Sequence, residues 1–335
     1  ARSQDPNYNA AGLCPGFPIY GSATEQHFYV SSSGTSLATP AVSGAAALIR
    51  QYFVNKSILP DGAAPSPAML KAYLVNSTDH LTGPNADDGN LPGQRQGWGL
   101  INLSRGFDST PRILVDETQL LTASGQTYQI NGSISDRTKP VRITLAWTDA
   151  PGTPVALPWV NDLDLELTVG GSTIYRGNNF SGAFSVSGGS PDRWNNRECI
   201  FIAPDQRPVG ADGNFTITVR AANIAGDGVP GNGIDVDQDF ALVAYNIAPP
   251  IVPAPRIDSV TYSAKVLTIS GAFFSSDATV SINGAPVGVQ FSFDQASNSL
   301  TARAKPKKLN LVKKSTNQIV VFEKGQSSAA YTLQL

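Results

Sequence analysis

The alternation of apolar and polar residues divides the chain into a helical first part and a longer part of short strands. Helices are predicted over about 35–53 and 67–76, the second with Ser66 as a favourable N-cap residue and Pro67 in its first turn. From about 107 to 247, short runs with a period of two are separated by turn residues. This pattern predicts an antiparallel β-sandwich or barrel.

The run from 161 to 167 illustrates this alternation. Three leucines share one face of the predicted strand and three acidic residues share the other, namely Leu163, Leu165 and Leu167 against Asp162, Asp164 and Glu166. The simplest interpretation is a half-buried strand with an acidic stripe facing solvent.

The C-terminal part is set apart by a proline-rich stretch and by its charge. Residues 249–255 predict a semi-rigid linker. Beyond it, residues 256–335 predict a further all-β module, in which Asn283-Gly284 marks a hairpin turn. Residues 255–335 carry nine Lys and Arg against four Asp and Glu. No aromatic residues are interspersed among the lysines, which favours a solvated loop over a polyanion site.

Composition narrows the classes of function. The 335 residues are 41% hydrophobic and 15% charged, which allows two or three domains with buried cores. The net charge of −2 argues against a nucleic-acid partner, because such binding needs clustered Lys and Arg. No apolar run reaches the about 18–20 residues of a membrane span. Cys14 and Cys199 could form one long-range disulfide or remain buried thiols.

The stretch most suggestive of chemistry is Ser33-Gly34-Thr35-Ser36-Leu37-Ala38-Thr39-Pro40. It places the Ser36 hydroxyl at a glycine-preceded entry into a helix. Free N–H groups and the positive end of the helix dipole would favour an oxyanion beside that hydroxyl. The alternative is an N-cap serine on an ordinary core helix.

Residues 34–40 resemble the serine motif of the subtilases, the subtilisin-like serine proteases, at every position. Downstream, residues 67–74 are similar to the family's following helix, and residues 96–102 resemble the closing segment of its catalytic domain. The resemblance implies that Ser36 is the nucleophile and that its backbone N–H is an oxyanion donor. The substrate would be a polypeptide, and the protein would be secreted.

The β segments resemble modules that accompany such catalytic domains. Residues 145–149, 160–165, 195–198 and 240–243 are similar to the jelly-roll domain of alkaline subtilases, whereas Cys199 and residues 226–237 depart from that pattern. The last segment resembles an immunoglobulin-like IPT/TIG module. The expected fold is therefore a multi-domain chain: a partial α/β subtilisin-like catalytic domain over 1–105, an all-β jelly-roll over 106–248, a linker over 249–255 and an immunoglobulin-like sandwich over 256–335.

The base and acid that a subtilase serine needs are expected far upstream of it, in the order Asp, His, Ser. Only 35 residues precede Ser36, and neither His27 nor His80 lies where the family's base would be. We therefore expect this chain to be the C-terminal portion of a longer protease, inactive alone and able to associate with the missing part of the catalytic domain.

Calcium is the one metal that the sequence suggests, in a structural rather than a chemical role. Asp235, Asp237 and Asp239 alternate in a glycine-rich loop, and oxygen ligands at such spacing can surround Ca²⁺. Asp162 and Asp164 are further candidates, since calcium-stabilised β domains occur in the related proteases. No cofactor is expected for the chemistry itself.

A second hypothesis is not enzymatic. Most of the chain is predicted β module, so the protein could bind surfaces or glycans and carry residues 1–105 as a remnant of a protease.

Overall fold

The computed structural model describes residues 34–83, 89–152, 159–206, 215–249 and 253–335. The chain divides into two compact units, Ala1–Pro249 and Pro250–Leu335, here called the first and second units. Both are mostly β-sheet with few helices. The catalytic, jelly-roll and immunoglobulin-like assignments and their boundaries stay predictions. Residues 250–252 of the predicted linker lie outside the described residues.

The two predicted helices are confirmed. Helix α1 spans Thr35–Asn55 and helix α2 spans Pro67–Asn76. The Ser66 hydroxyl caps α2 by accepting the N–H of Met69 at 3.0 Å, as expected of an N-cap serine. A short helix α3 spans Leu103–Gly106. None of the described helices is both long and apolar enough to cross a membrane.

The first unit contains two antiparallel sheets and a small two-stranded one. The small sheet pairs β1 with β2, Thr78–Asp79 and Leu100–Ile101. The larger sheets have the strand orders β12-β4-β10-β6-β7-β8 and β3-β11-β5-β9. Their strands are β3 Arg112–Leu121, β4 Thr127–Ile134, β5 Val141–Ala146, β6 Asp162–Val169, β7 Thr173–Ser181, β8 Phe184–Ser187, β9 Arg197–Ile202, β10 Phe215–Asn223, β11 Gln238–Tyr245 and β12 Ile247–Ala248.

The main core lies between the six-stranded and four-stranded sheets. Leu163, Leu165 and Leu167 of β6 all belong to it and are at most 1% exposed. The acidic residues between them point to the other face of the sheet, so the predicted alternation of this strand is confirmed.

Helices α1 and α2 cover the outer face of the four-stranded sheet and make a third layer. Their buried side chains, including Phe53 and Met69, pack against Ala146, Ala241 and Val243 of that sheet. Both faces of β5 are therefore buried. The alternation of residues 141–147 predicted a half-buried strand, which is wrong for β5, because the helices cover the side on which its polar residues lie.

Arg142 of β5 illustrates how this cover is reconciled with a charged side chain. Arg142 is 5% exposed. Its Nε donates to the Asn76 carbonyl at 2.6 Å, and its guanidinium lies 3.5 Å from the centroid of the Phe201 ring. Burial, with the nearby Arg105, lowers the pKa of Arg142 to about 9.

Asn76 ties α2 to the sheet, and its loss is expected to destabilise the first unit. Its Nδ2 donates to the Arg142 carbonyl, the Thr144 hydroxyl and the Val243 carbonyl at 3.0–3.3 Å. Asn76→Ala would leave these buried acceptors with one donor fewer, and we expect a loss of about 1–3 kcal/mol in the free energy of unfolding. Urea denaturation checks this, with Asn55→Ala on the exposed end of α1 as a control expected to change stability by less than about 0.5 kcal/mol. Equal stability of the two variants would contradict it.

The second unit contains two sheets around a core of its own. One has the order β13-β14-β18-β17, and the other has the order β16-β15-β19-β20 with β21 also paired to β19. Asn283 and Gly284 between β15 and β16 have φ values of 55° and 79°, which confirms the predicted hairpin turn. The strands are β13 Arg256–Ser263, β14 Val266–Ala272, β15 Thr279–Ile282, β16 Ala285–Pro286, β17 Ser292–Asp294, β18 Ser299–Arg303, β19 Thr316–Glu323, β20 Gln326–Ser327 and β21 Tyr331–Gln334.

Candidate active site

Ser36 is the second residue of α1. Gly34 before it has φ 141° and ψ 161°, a backbone conformation that favours glycine, and its carbonyl accepts the N–H groups of Leu37 and Ala38 at 3.0 and 3.1 Å. A Cβ added to Gly34 would lie 3.8 Å from the Ser36 hydroxyl. Among the described residues, no hydrogen bond engages the N–H of Ser36. The hydroxyl and a free N–H therefore stand together at the start of the helix.

The electrostatics at this helix end favour negative charge. No side chain caps α1, and its first turn contains no acidic residue that would neutralise the positive end of the dipole. The Thr39 hydroxyl bonds back to the Thr35 carbonyl at 2.8 Å and so does not compete for the N-terminal N–H groups. Pro40 brings no N–H to the Ser36 carbonyl four residues before it. An oxyanion formed beside Ser36 would find donors and a favourable potential there.

The helix that carries Ser36 is anchored by its second half. Ile49 and Phe53 are fully buried, and the Phe53 ring lies 5.0 Å from the Tyr73 ring of α2 in an edge-to-face arrangement. Residues 34–44 are exposed in the described part of the chain, including the apolar Leu37 and Val42. Ser36 is thus accessible, about 30 Å along the helix axis from its last residue.

The described residues do not bring a general base to Ser36. His27 lies outside them. His80 follows β1 and is partly buried, and its Nε2 has no hydrogen-bond partner within the described part of the chain. No described hydrogen bond joins His80 to Ser36.

The comparison with known families agrees with this geometry. Residues 12–99 match the subtilase family. The chain is also 30% identical over 216 residues to the serine protease/ABC transporter B family protein tagA of Dictyostelium discoideum, a match covering 58% of this chain and 12% of that protein. For tagD of the same organism the identity is 27% over 237 residues, covering 55% of this chain and 13% of that protein. The chain therefore spans about an eighth of the length of these relatives.

Solved structures add little. The β-D-glucuronidase of Dictyoglomus thermophilum is 10% identical, with 68% of this chain and 44% of that chain covered, at a TM-score of 0.18. So low a score carries no argument. The family match and the serine protease relatives support a protease-type function at the level of the family.

Outside the subtilase segment 12–99, the candidate calcium ligands are spread over two regions. Asp162 and Asp164 lie on β6. Asp235 is exposed in the loop before β11, Asp237 is fully buried, and Asp239 lies on β11. Among the described residues, no group of three or more His, Cys, Asp or Glu side chains is arranged to hold a metal ion. Calcium binding stays a prediction.

The carboxylate of Asp237 already has protein donors. It accepts the N–H of Val229 at 3.0 Å and the Nδ2 of Asn232 at 2.5 Å. Burial and the nearby Glu117 raise the pKa of Asp239 to about 6. Burial and the neighbouring Asp164 do the same for Asp162, whose pKa is also about 6.

Sequence reasoning missed a fully buried acid, Glu198 of β9, close to Asp162 and Asp164. Its Oε2 accepts the N–H of Leu165 at 2.6 Å. Gly177 of β7 makes the room for it, since a Cβ there would lie 2.0 Å from Glu198 Oε2. A glycine inside a strand signals such a close approach, so Gly177 was the available clue.

The cysteines remained open between a disulfide and buried thiols. Cys199 is a free and fully buried thiol that lies 3.7 Å from the Thr144 hydroxyl. Burial raises the pKa of this thiol to about 12. Cys14 lies outside the described residues.

Proposed function

We propose that Ser36 is the nucleophile of a subtilase-type serine endopeptidase and that its backbone N–H is one donor of the oxyanion hole. The observation that carries this proposal is the placement of residues 34–40 at an exposed helix start with no side-chain cap and no acid in its first turn. The match of residues 12–99 to the subtilase family supports it. The substrate is a polypeptide, and we place the enzyme outside the cell.

The proposed reaction is acyl transfer to the serine followed by hydrolysis. Ser36 Oγ attacks the scissile carbonyl carbon while a histidine base takes the hydroxyl proton. The carbonyl oxygen becomes an oxyanion that accepts the N–H of Ser36 at the positive end of α1. Collapse of this intermediate breaks the C–N bond, and the histidine returns the proton to the leaving amine. Water then attacks the acyl-enzyme by the same steps and releases the second product.

The histidine base and its orienting aspartate are proposed to come from a part of the full-length enzyme that precedes these 335 residues. A serine hydroxyl is a weak nucleophile without such partners. The described residues around Ser36 provide neither. The 335-residue chain alone is therefore expected to be inactive, and the missing part of the catalytic domain is its expected partner.

Active-site labelling tests this proposal directly. A fluorophosphonate probe, which phosphonylates activated serines, is expected to label the full-length protein at Ser36, as located by peptide mass spectrometry. The isolated 335-residue chain should show no labelling above its Ser36→Ala variant. Ser43 is the internal control, because it is exposed two turns further along the same helix and its hydroxyl bonds to the Thr39 carbonyl at 3.1 Å. Labelling elsewhere, or none in the full-length protein, would overturn the assignment.

A further inference from the structure

A polar groove lies on the solvent-facing side of the six-stranded sheet, away from the residues assigned to catalysis. Its cavity volume is about 590 Å³, within the range of small-molecule sites. The side chains used below are Asp164, Glu166, Arg176, Ser190, Thr218 and Arg220. They come from strands β6, β7 and β10 and from the loop after β8.

Strand register places opposite charges side by side along the floor of this groove. Asp164 is paired across the strands with Arg220, and Glu166 is paired with both Thr218 and Arg176. The Glu166 and Arg176 side chains form an ion pair at 3.6 Å. Two carboxylates and two guanidiniums thus balance. The groove offers no net attraction to a polyanion or a polycation, in contrast to a surface built for charged ligands.

One acceptor in this floor lacks a partner. The Oδ1 atom of Asp164 is buried, and no described residue donates a hydrogen bond to it. Burial also raises the pKa of Asp164, although Arg220 and Arg176 act in the opposite direction. A buried acceptor left without a donor is costly, and a ligand hydroxyl could supply that donor.

The wall of the groove is held in place before any ligand arrives. Arg176 Nη1 donates to the Gly189 carbonyl at 3.1 Å, and Asn179 Nδ2 donates to the Gly188 carbonyl at 3.2 Å. Gly189 has φ 79°, and a Cβ there would lie 2.5 Å from the Asn179 amide. A preformed wall lowers the entropy that binding would otherwise cost.

The loop that forms this wall continues into an exposed aromatic residue. Trp194 is 61% exposed. The Arg193 guanidinium lies 5.6 Å from the centroid of the Trp194 ring and 5.7 Å from that of Trp159. The Trp194 N–H donates to Asp192 Oδ1 at 2.9 Å, which fixes the backbone of the loop. An exposed indole gives an apolar face beside a polar groove.

We propose that this groove binds a neutral saccharide. Sugar hydroxyls both donate and accept hydrogen bonds, and the groove presents carboxylate acceptors, guanidinium donors and the hydroxyls of Ser190 and Thr218. The balanced charge fits an uncharged ligand better than an ionic one. Trp194 provides the flat surface on which the C–H face of a sugar ring can lie. This site is separate from Ser36 and from the proposed peptidase activity.

Binding of defined neutral tetrasaccharides to the 335-residue chain tests the proposal. The probes are cellotetraose, maltotetraose, mannotetraose and chitotetraose, followed by calorimetry and by Trp fluorescence. At least one is expected to saturate the protein, and Asp164→Ala and Arg220→Ala should each weaken its binding by about tenfold to a hundredfold, as for the loss of a hydrogen bond to a charged group. Asp205→Ala and Arg303→Ala remove matched, exposed charges outside the groove and should leave binding unchanged.

Two further variants keep the test decisive if a groove variant unfolds. Trp194→Ala changes an exposed loop side chain and should lower affinity without changing the melting temperature, and Arg220→Lys keeps the charge but removes the guanidinium. The proposal is overturned if none of the four sugars binds, or if binding is equal in the groove variants and the controls. It is also overturned if polygalacturonate or a charged hexapeptide binds this groove more tightly than every neutral sugar.

Discussion

Replacement of Ser36 by alanine in the full-length enzyme is expected to lower kcat for peptide hydrolysis by about 10⁶-fold, the scale known for loss of a triad serine. Alanine removes the attacking oxygen but keeps the N–H of residue 36 and the helix start that Gly34 forms. Since the proposed oxyanion donor and the peptide-binding residues remain, KM should change little. Steady-state kinetics on a fluorogenic peptide measures both constants.

Ser43→Ala is the matched control for this experiment. Ser43 lies on the same helix, is equally exposed and bonds only to the Thr39 carbonyl among described residues, so its loss should leave kcat and KM unchanged. The melting temperature of each variant separates a chemical effect from unfolding. If Ser36→Ala keeps more than about a tenth of the activity, or if Ser43→Ala loses as much as Ser36→Ala, Ser36 is not the nucleophile.

Features set by neighbouring residues could be predicted from the sequence. The Ser66 cap, the Asn283-Gly284 turn and the alternation of the β6 leucines all depend on interactions within a few positions, and the structure shows each of them. The placement of Ser36 at the start of a helix belongs to the same class, because Gly34 before it fixes where the helix can begin.

Features that depend on distant partners could not be predicted in this way. Arg142 sits in an alternating run that indicates a solvent-facing side chain, yet α2, some 66 positions earlier, covers it. The polar groove likewise depends on the pairing of Asp164 with Arg220, and alternation tells which face a residue takes but not which residue lies opposite. The base for Ser36 is a third case, since neither histidine of this chain matches the family's position for it.

Glu198 makes the stability of the first unit depend on pH. This side chain is fully buried between β7 and β6, and Oε1 has no hydrogen-bond partner among the described residues. Burial raises its pKa well above the ordinary value, and the charges of Asp164, Asp192 and Asp162 act in the same direction. The folded chain therefore holds a proton on Glu198 over a pH range in which the unfolded chain has released it.

The sign of the effect follows from this difference in bound protons. The contribution of Glu198 is fully present below the unfolded-state pKa of about 4.3, and it is lost as the pH rises toward the folded-state value. In that window the free energy of unfolding falls by up to about 1.4 kcal/mol for each pH unit. Glu198→Gln cannot ionise and keeps an acceptor for the Leu165 N–H. The variant should therefore gain stability over the native chain as the pH increases.

Urea denaturation of both proteins across about pH 5 to 9, followed by Trp fluorescence, measures this gain. All four tryptophans lie in the first unit, so the signal reports the part of the chain that contains Glu198. Asp162 and Asp239, whose pKa values are raised to about 6, add slopes of the same sign in both proteins and cancel in the difference. Asp205→Asn, at an exposed position, should parallel the native chain at every pH. A difference between Glu198→Gln and the native chain that stays constant with pH would mean that Glu198 does not change its protonation on unfolding, and the raised pKa would then be wrong.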